Sequence, residues 1–173
     1  MSDPRNEPAS EDFARSPWWS GALLLAWILL VAGLGALSGV LFPPDDWFAA
    51  LAKPTFQPPD WLFGPVWTVL YVAMAVAAWV VQRTSGVDGA LRRRAFVLFF
   101  VQFALNLAWT PLFFGLRSPG LAFVDICALW LVLLWTLLTF GRVRSLAGYL
   151  LLPYLLWVSF ALVLNGTIWL MNA

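Results

Sequence analysis

The polar side chains that lie inside long apolar stretches are the first candidates for chemistry. Asp125 is the only ionisable residue well inside such a stretch, and Asn106 and Asn165 are the most deeply placed amides. An unpaired carboxylate in hydrocarbon costs several kcal/mol, so Asp125 must face protein or water. Amides at this depth also need hydrogen-bond partners. Two interpretations fit these residues: they join helices to one another, or they bind the polar edge of a ligand.

Aromatic residues accompany these polar groups at helical spacing. Residues that recur at three, four, seven or eight positions lie on one face of an α-helix. Three such stripes are Asn106, Trp109 and Phe113; Trp157, Ala161 and Asn165; and Trp67 with Tyr71. The small side chain of Ala161 would leave room for a flat ligand between aromatic walls. The stripes therefore predict either a ligand cavity with a few polar groups or an aromatic core.

The elements that position these residues are five predicted membrane spans. Of 173 residues, 62% are hydrophobic and 11% are charged, whereas a soluble domain has about 25% charged residues. Five apolar stretches each approach the roughly 20 residues that a helix needs to cross hydrocarbon. They cover residues 18–42, 62–81, 95–116, 120–140 and 146–171. We therefore predict an all-α membrane protein, a bundle of five transmembrane helices.

The composition also excludes several kinds of chemistry. The chain has no His and a single Cys, Cys127. It therefore has no internal disulfide, no His-ligated zinc or haem and no Ser-His triad. We expect no metal site and no required cofactor. Ten basic and nine acidic residues leave no charge footprint for nucleic acid.

The charged residues predict how the chain is oriented. Residues 1–17 form a polar tail that we predict to be disordered, and residues 18–173 form one transmembrane domain. Eight Arg lie in this tail and in the 83–94 and 141–145 loops, whereas the opposite side carries only Lys53 and Arg117. Loops rich in Arg and Lys stay in the cytoplasm. We therefore expect an integral, multi-pass membrane protein with a cytoplasmic N-terminus and a C-terminus on the opposite side.

One long connection, residues 43–61, lies on the predicted non-cytoplasmic side. Its prolines and large aromatic residues are Pro43, Pro44, Pro54, Pro58, Pro59, Trp47, Phe48, Phe56 and Trp61. Proline restricts the backbone and lowers the entropy that is lost on ordering. A stiff lid over a ligand site fits this composition. A loop whose Trp side chains rest at the depth of the lipid headgroups fits it equally well.

Two motifs of small residues favour close helix packing. Gly35 and Gly39 form a G-x-x-x-G motif in the first span, and Ala104 and Ala108 form a similar motif in the third. Both motifs fit a contact within one chain or between two subunits.

Several blocks of the sequence occur in an order and at separations typical of one known family. They are WFAALAKP at 47–54 with Pro58 and Pro59, FGPVWTVLY at 63–71, NLAWTPLFFG at 106–115, AFVD at 122–125, PYLLW at 153–157 and LNGTI at 164–168. Over residues 35–172 the chain resembles the TspO/MBR family of tryptophan-rich sensory proteins, which includes the mitochondrial translocator protein.

The resemblance implies a five-helix bundle, often a homodimer, that binds tetrapyrroles such as protoporphyrin IX. Some members also bind cholesterol and benzodiazepine-type drugs. Carried onto this sequence, the ligand pocket is lined by Trp67, Asn106, Trp109, Asp125, Trp157, Ala161 and Leu164. Tyr71 and Asn165, from the stripes described above, complete our predicted ligand-binding residues. The lid contains Trp47, Lys53, Pro54, Phe56, Pro58 and Pro59. Trp67 and Trp157 match positions that bacterial relatives use in light-driven degradation of protoporphyrin.

The sequence departs from the family pattern at two places. Thr55 and Phe56 follow Lys53-Pro54 where the family usually has Trp at one or both positions. At the end of the fifth span, Gly166 and Leu170 replace the Tyr and the basic residue of the family's cholesterol-recognition motif. The second departure argues against sterol binding through that motif.

These observations lead to a hypothesis with named alternatives. A tetrapyrrole would stack on Trp157 and Trp67, and its polar edge would meet Asn106 and Asp125. Lys53 and Arg117 are our candidates for its propionates. The protein would regulate or transport the pigment, or promote its photo-oxidative degradation. The alternatives are a carrier or translocator of sterols or other hydrophobic ligands, and a scaffold subunit without a ligand.

Overall fold

The computed structural model describes residues 17–173 and, within them, the side chains from Trp19 onward. The tail predicted to be disordered therefore lies almost entirely outside the described residues. Helices α1 (Pro17–Leu41), α3 (Asp60–Arg83), α4 (Gly89–Thr110), α5 (Pro119–Val143) and α6 (Ser145–Met171) are the long ones, and α2 (Asp46–Ala50) is short. The five long helices are long and apolar enough to cross a membrane. The predicted all-α bundle of five spans is confirmed.

Helix α4 begins six residues before the predicted third span. The side chain of Asp88 accepts a hydrogen bond from the backbone N–H of Leu91 (2.9 Å) and caps the helix. The first turns then carry Arg92, Arg93 and Arg94. Hydropathy finds only the part of a helix that lies in hydrocarbon, so it misses a charged first turn.

Two short elements at the opposite end of the bundle were not predicted. Helix α2 lies within the proline-rich connection and is capped by Asp45. A π-helical turn, Pro111–Gly115, extends α4. Proline has no N–H to donate, so Pro111 interrupts the regular backbone hydrogen bonds of the α-helix. The Leu116 N–H instead donates to the Pro111 carbonyl five residues earlier (2.8 Å), which is the π-helical pattern. The widened turn accommodates Phe113, which is 2% exposed.

The five long helices pack in the order α1, α3, α6, α5, α4. Helix α5 packs between α4 and α6, and α3 packs between α1 and α6. The contacts of α4 with α1 and with α3 are slight, as is the contact between α3 and α5. This order encloses a space between α1, α3, α4, α5 and α6 beneath the connection that contains α2.

Indole N–H groups join several of these helices. Trp27 of α1 donates to the side chain of Gln82 on α3 (2.6 Å), and Trp79 of α3 donates to the Ser20 carbonyl on α1 (3.0 Å). Trp130 of α5 donates to the hydroxyl of Ser159 on α6 (2.8 Å). An apolar ring with one polar atom packs well between helices in a membrane, provided that the N–H finds an acceptor. Much of the Trp content is therefore structural.

Candidate functional site

A cavity of about 620 Å³ lies at the end of the bundle beneath the proline-rich connection. Its walls come from all five long helices. The predicted ligand-binding residues that line it are Trp67, Tyr71, Asn106, Trp109, Trp157, Ala161, Leu164 and Asn165. Residues that the helical spacing grouped together therefore line one cavity, whose wall is largely apolar with a few polar groups.

Asp125 is the predicted site residue that the structure does not bring to the cavity. It is buried, at 8% exposed, and its Oδ2 has no hydrogen-bond partner among the described residues. Helix α5 instead presents Ile126 and Leu129 to the cavity. Successive helix positions are rotated by about 100°, so the correct depth does not guarantee the correct direction. Asp125 therefore does not line the cavity in which a ligand would lie.

Tyr71 and Asn106 form a polar clasp in the cavity wall. The Tyr71 hydroxyl donates to Oδ1 of Asn106 across α3 and α4 (3.0 Å). The Tyr71 ring lies directly on Gly35 of α1, where a Cβ atom would collide with it. The amide of Asn106 keeps the second lone pair of Oδ1 and its NH₂ group, so it can accept from a ligand or donate to it.

Gly35 and Gly39, the first of the two small-residue motifs, lie on the inner side of α1. Both line the cavity, and the close approach at Gly35 is made by Tyr71 of the same chain. Gly35 therefore serves packing within the chain, whereas Gly39 is exposed and has open space around it. Ala104 of the second motif is exposed.

Asn165 has a structural role within the cavity wall. Its Oδ1 accepts from the indole N–H of Trp109 (2.9 Å), and its Nδ2 donates to the Pro119 carbonyl (2.9 Å). It thus joins α6 to α4 and to the first turn of α5. Both functional groups of the amide are in use, so Asn165 shapes the wall and leaves the polar contact with a ligand to Asn106.

Trp67 and Trp157 supply the two indole surfaces predicted to bind a flat ligand. Trp67 stacks on Tyr71 with ring centroids 5.3 Å apart and meets Tyr154 edge-on. Trp157 meets Phe63 edge-on, and its buried Nε1 has no partner among residues 17–173. Phe63 also lines the cavity.

The lid contributes different residues from those predicted. The cavity is lined on this side by Phe42, Pro44, Phe48, Gln57 and Asp60. The predicted lid residues Trp47, Lys53, Pro54, Phe56, Pro58 and Pro59 belong to the same connection but do not line the cavity. Trp47 packs edge-on against Phe113, and Phe56 against Phe160. They hold the lid to the bundle from outside the cavity.

Two polar contacts fasten the lid. The side chain of Asp45 accepts from the Phe48 N–H through Oδ1 (3.2 Å) and from Arg117 through Oδ2 (2.8 Å). The hydrogen bond from Phe48, together with Arg117, holds the pKa of Asp45 below its ordinary value of 3.8. At the other end of the lid, the Asn172 side chain accepts from the Ala52 N–H (2.9 Å) and donates to its carbonyl (3.0 Å).

The two cations proposed for propionates are engaged elsewhere. Arg117 pairs with Asp45. The ammonium group of Lys53 donates to the Ala49 carbonyl (3.2 Å) and lies 4.3 Å from the Phe48 ring centroid. Neither residue lines the cavity. The charges that the sequence places on this side therefore hold the lid, and the structure does not bring them to a ligand.

Five spanning helices around an aromatic cavity, covered by the proline-rich connection, define a helical integral membrane protein with a chamber at one end of the bundle. A model of the TspO/MBR family matches residues 25–170. The chain belongs to this family.

Three relatives illustrate the extent of the similarity. The chain is 41% identical over 145 residues to the tryptophan-rich protein TspO of Chlorobaculum tepidum, covering 84% of this chain and 91% of that protein. It is 38% identical over 146 residues to the translocator protein of Homo sapiens, covering 81% and 85% respectively. It is 34% identical over 151 residues to the protein CrtK of Rhodobacter capsulatus, covering 86% and 92%.

Proposed function

We propose that this chain is a membrane receptor for a flat, hydrophobic tetrapyrrole such as protoporphyrin IX. The observation that carries the proposal is the position of Trp67, Trp157 and Asn106 in the wall of one cavity. Its volume of about 620 Å³ lies within the range of roughly 300–1,000 Å³ that is usual for small-molecule sites. The indoles supply broad faces for stacking, and the amide supplies one oriented donor.

The names of the relatives support a small-molecule role without identifying the ligand. Proteins named translocator and tryptophan-rich sensory protein are similar to this chain over most of its length. For this chain we propose binding first, with regulation or transport of the pigment as its consequence. Sterol binding through the end of α6 is disfavoured because Gly166 lies against Phe123, where even a Cβ atom would be crowded.

Titration of the purified protein with protoporphyrin IX in the dark tests the proposal through quenching of Trp fluorescence. We expect saturable binding that Trp157→Phe and Asn106→Ala each weaken by about two- to tenfold, the range for one aromatic contact or one hydrogen bond. Trp135→Phe is the matched control, because Trp135 is 51% exposed and lies outside the cavity. Quenching that does not saturate and is equal in all variants would mean that the pigment only partitions into the detergent.

We also propose light-dependent degradation of the bound pigment as a second activity. The supporting observation is that both Trp67 and Trp157 line the same cavity, so a bound porphyrin would touch two oxidisable side chains. Dissolved oxygen would be the oxidant, and no metal is needed.

A homodimer remains part of the proposal as an implication of family membership. In the first small-residue motif, Gly35 is covered by Tyr71 of the same chain, whereas Ala104 of the second motif is exposed on α4. The Ala104–Ala108 stripe is therefore our candidate for the contact with a second copy.

A further inference from the structure

The charge at the mouth of the cavity is negative. Among the described residues that line the cavity, Asp60 is the only one with a formal charge at neutral pH. It is exposed and lies at the first position of α3, where the lid joins that helix. Ala36, Gly39, Gly64 and Thr68 also line the cavity and are exposed. A ligand that enters at the Asp60 side, beneath the lid, would bring its outer edge close to this carboxylate.

The neighbouring polar groups do not neutralise Asp60. Gln57 also lines the mouth, and its Nε2 donates to Oδ1 of Asp60 at 3.4 Å. The other side-chain atom of Gln57, Oε1, is buried and has no partner within the described part of the chain. The mouth therefore offers acceptor atoms, and its one amide donor is already directed at the carboxylate.

Neither of the two cations at this end of the molecule lines the cavity. Arg117 is paired with Asp45 at 2.8 Å, and Lys53 donates to a backbone carbonyl and covers the Phe48 ring. Asp46 adds a further acidic group to the same end of the molecule. A carboxylate on the outer edge of a ligand would thus meet Asp60 without a cation from the cavity wall.

We infer that Asp60 is a specificity-determining residue that disfavours ligands with carboxylates on their outer edge and favours neutral or cationic ones. This inference rests on the proposed function, since it concerns the same cavity. It changes the expected ligand chemistry. The preferred tetrapyrrole has its propionates masked, or replaced by groups that donate hydrogen bonds.

A charge series of one macrocycle tests the inference. The probes are protoporphyrin IX as the free acid, its neutral dimethyl ester, and a diamide that ends in two primary amines. We expect the wild-type protein to bind the amine best and the free acid least. Asp60→Asn should strengthen binding of the acid and weaken binding of the amine by about three- to tenfold at low salt, with the ester unchanged. High salt should reduce these differences.

Asp46→Asn is the matched control, because Asp46 is an exposed acid on α2 that does not line the cavity. An equal effect of this control would show that net charge, and not Asp60, sets the preference. A flat charge series with saturable ester binding would overturn the inference but leave the receptor proposal intact. Failure of the wild-type protein to bind the ester would instead count against the tetrapyrrole itself.

Discussion

At the scale of single residues, the tryptophans fall into two groups. Trp27, Trp79, Trp109 and Trp130 donate their N–H to acceptors on other helices and hold the bundle together. Trp67, Trp109 and Trp157 line the cavity, so Trp109 belongs to both groups. The abundance of Trp therefore does not by itself predict a ligand site, and our proposal of photochemistry rests on Trp67 and Trp157.

Illumination of the pigment-loaded protein tests the role of these two indoles. We expect Trp157→Phe and Trp67→Phe to slow the loss of pigment absorbance several-fold, because an indole gives up an electron more readily than a phenyl ring. Removal of oxygen should stop the loss, and Trp135→Phe should leave it unchanged. Rates are compared at equal occupancy, so that weaker binding does not imitate slower chemistry. Unchanged loss in the Trp67→Phe, Trp157→Phe double variant would exclude these two indoles as the electron donors.

At the scale of elements, the lid is held by contacts that can be released separately. The carboxylate of Asp45 both caps α2 and pairs with Arg117 of the α4–α5 connection. Arg117 has a positive φ of 50°, a conformation that is unfavourable for a residue other than glycine. The ion pair therefore connects the lid to a turn whose backbone the sequence does not favour.

Ligand dissociation measured against pH tests this attachment. Because the folded-state pKa of Asp45 lies below its ordinary value of 3.8, the contact is complete above that value and is lost as pH falls through the lower, folded pKa. We expect faster dissociation at such acidic pH. At pH 7, Arg117→Gln should raise the dissociation rate by roughly two- to fivefold, since the pair is exposed.

Asp45→Asn separates the two roles of the carboxylate. Asparagine still caps a helix but carries no charge, so this variant should dissociate as fast as Arg117→Gln and should lose the acid dependence that Asp45 causes. Asn172→Ala releases the other end of the lid and should add to the effect of either variant. Dissociation rates that none of these changes alters would mean that the ligand leaves by another route.

The same elements show what could be read from the sequence. Hydropathy located the five spans because each is apolar over the width of a membrane, and it missed the start of α4 because an Asp88 cap leaves no apolar signal. Periodicity grouped Asn106 with Trp109 because helical spacing determines a common face. Periodicity could not predict the direction in which Asp125 points, because no other predicted site residue lies on the same helix. Phe48 and Asp60 were missed as cavity residues because the lid lacks a regular repeat.

At the scale of the whole molecule, no single helix holds the site. The cavity takes Gly35 from α1, Tyr71 from α3, Asn106 from α4, Ile126 from α5 and Trp157 from α6. These residues reach one another only when the helices assemble in the observed order. The lid then determines the side of the membrane from which the chamber opens.

The distribution of Arg predicts which side that is. Within the described chain, Arg83, Arg92, Arg93, Arg94, Arg142 and Arg144 lie at the end of the bundle away from the lid, against Lys53 and Arg117 at the lid end. The arginine-rich end should be cytoplasmic. We therefore propose that the chamber opens on the opposite side and collects its ligand there.

Single cysteines in a Cys127→Ser background test this orientation in intact cells. Thr55 in the lid and Ser85 in the α3–α4 connection are both exposed. We expect a membrane-impermeant maleimide to label Thr55→Cys directly, and Ser85→Cys only after the membrane is opened. The reverse pattern would place the lid in the cytoplasm. The protein would then take its pigment from the cytoplasm, because the mouth marked by Asp60 lies at the lid end whichever way the chain is inserted.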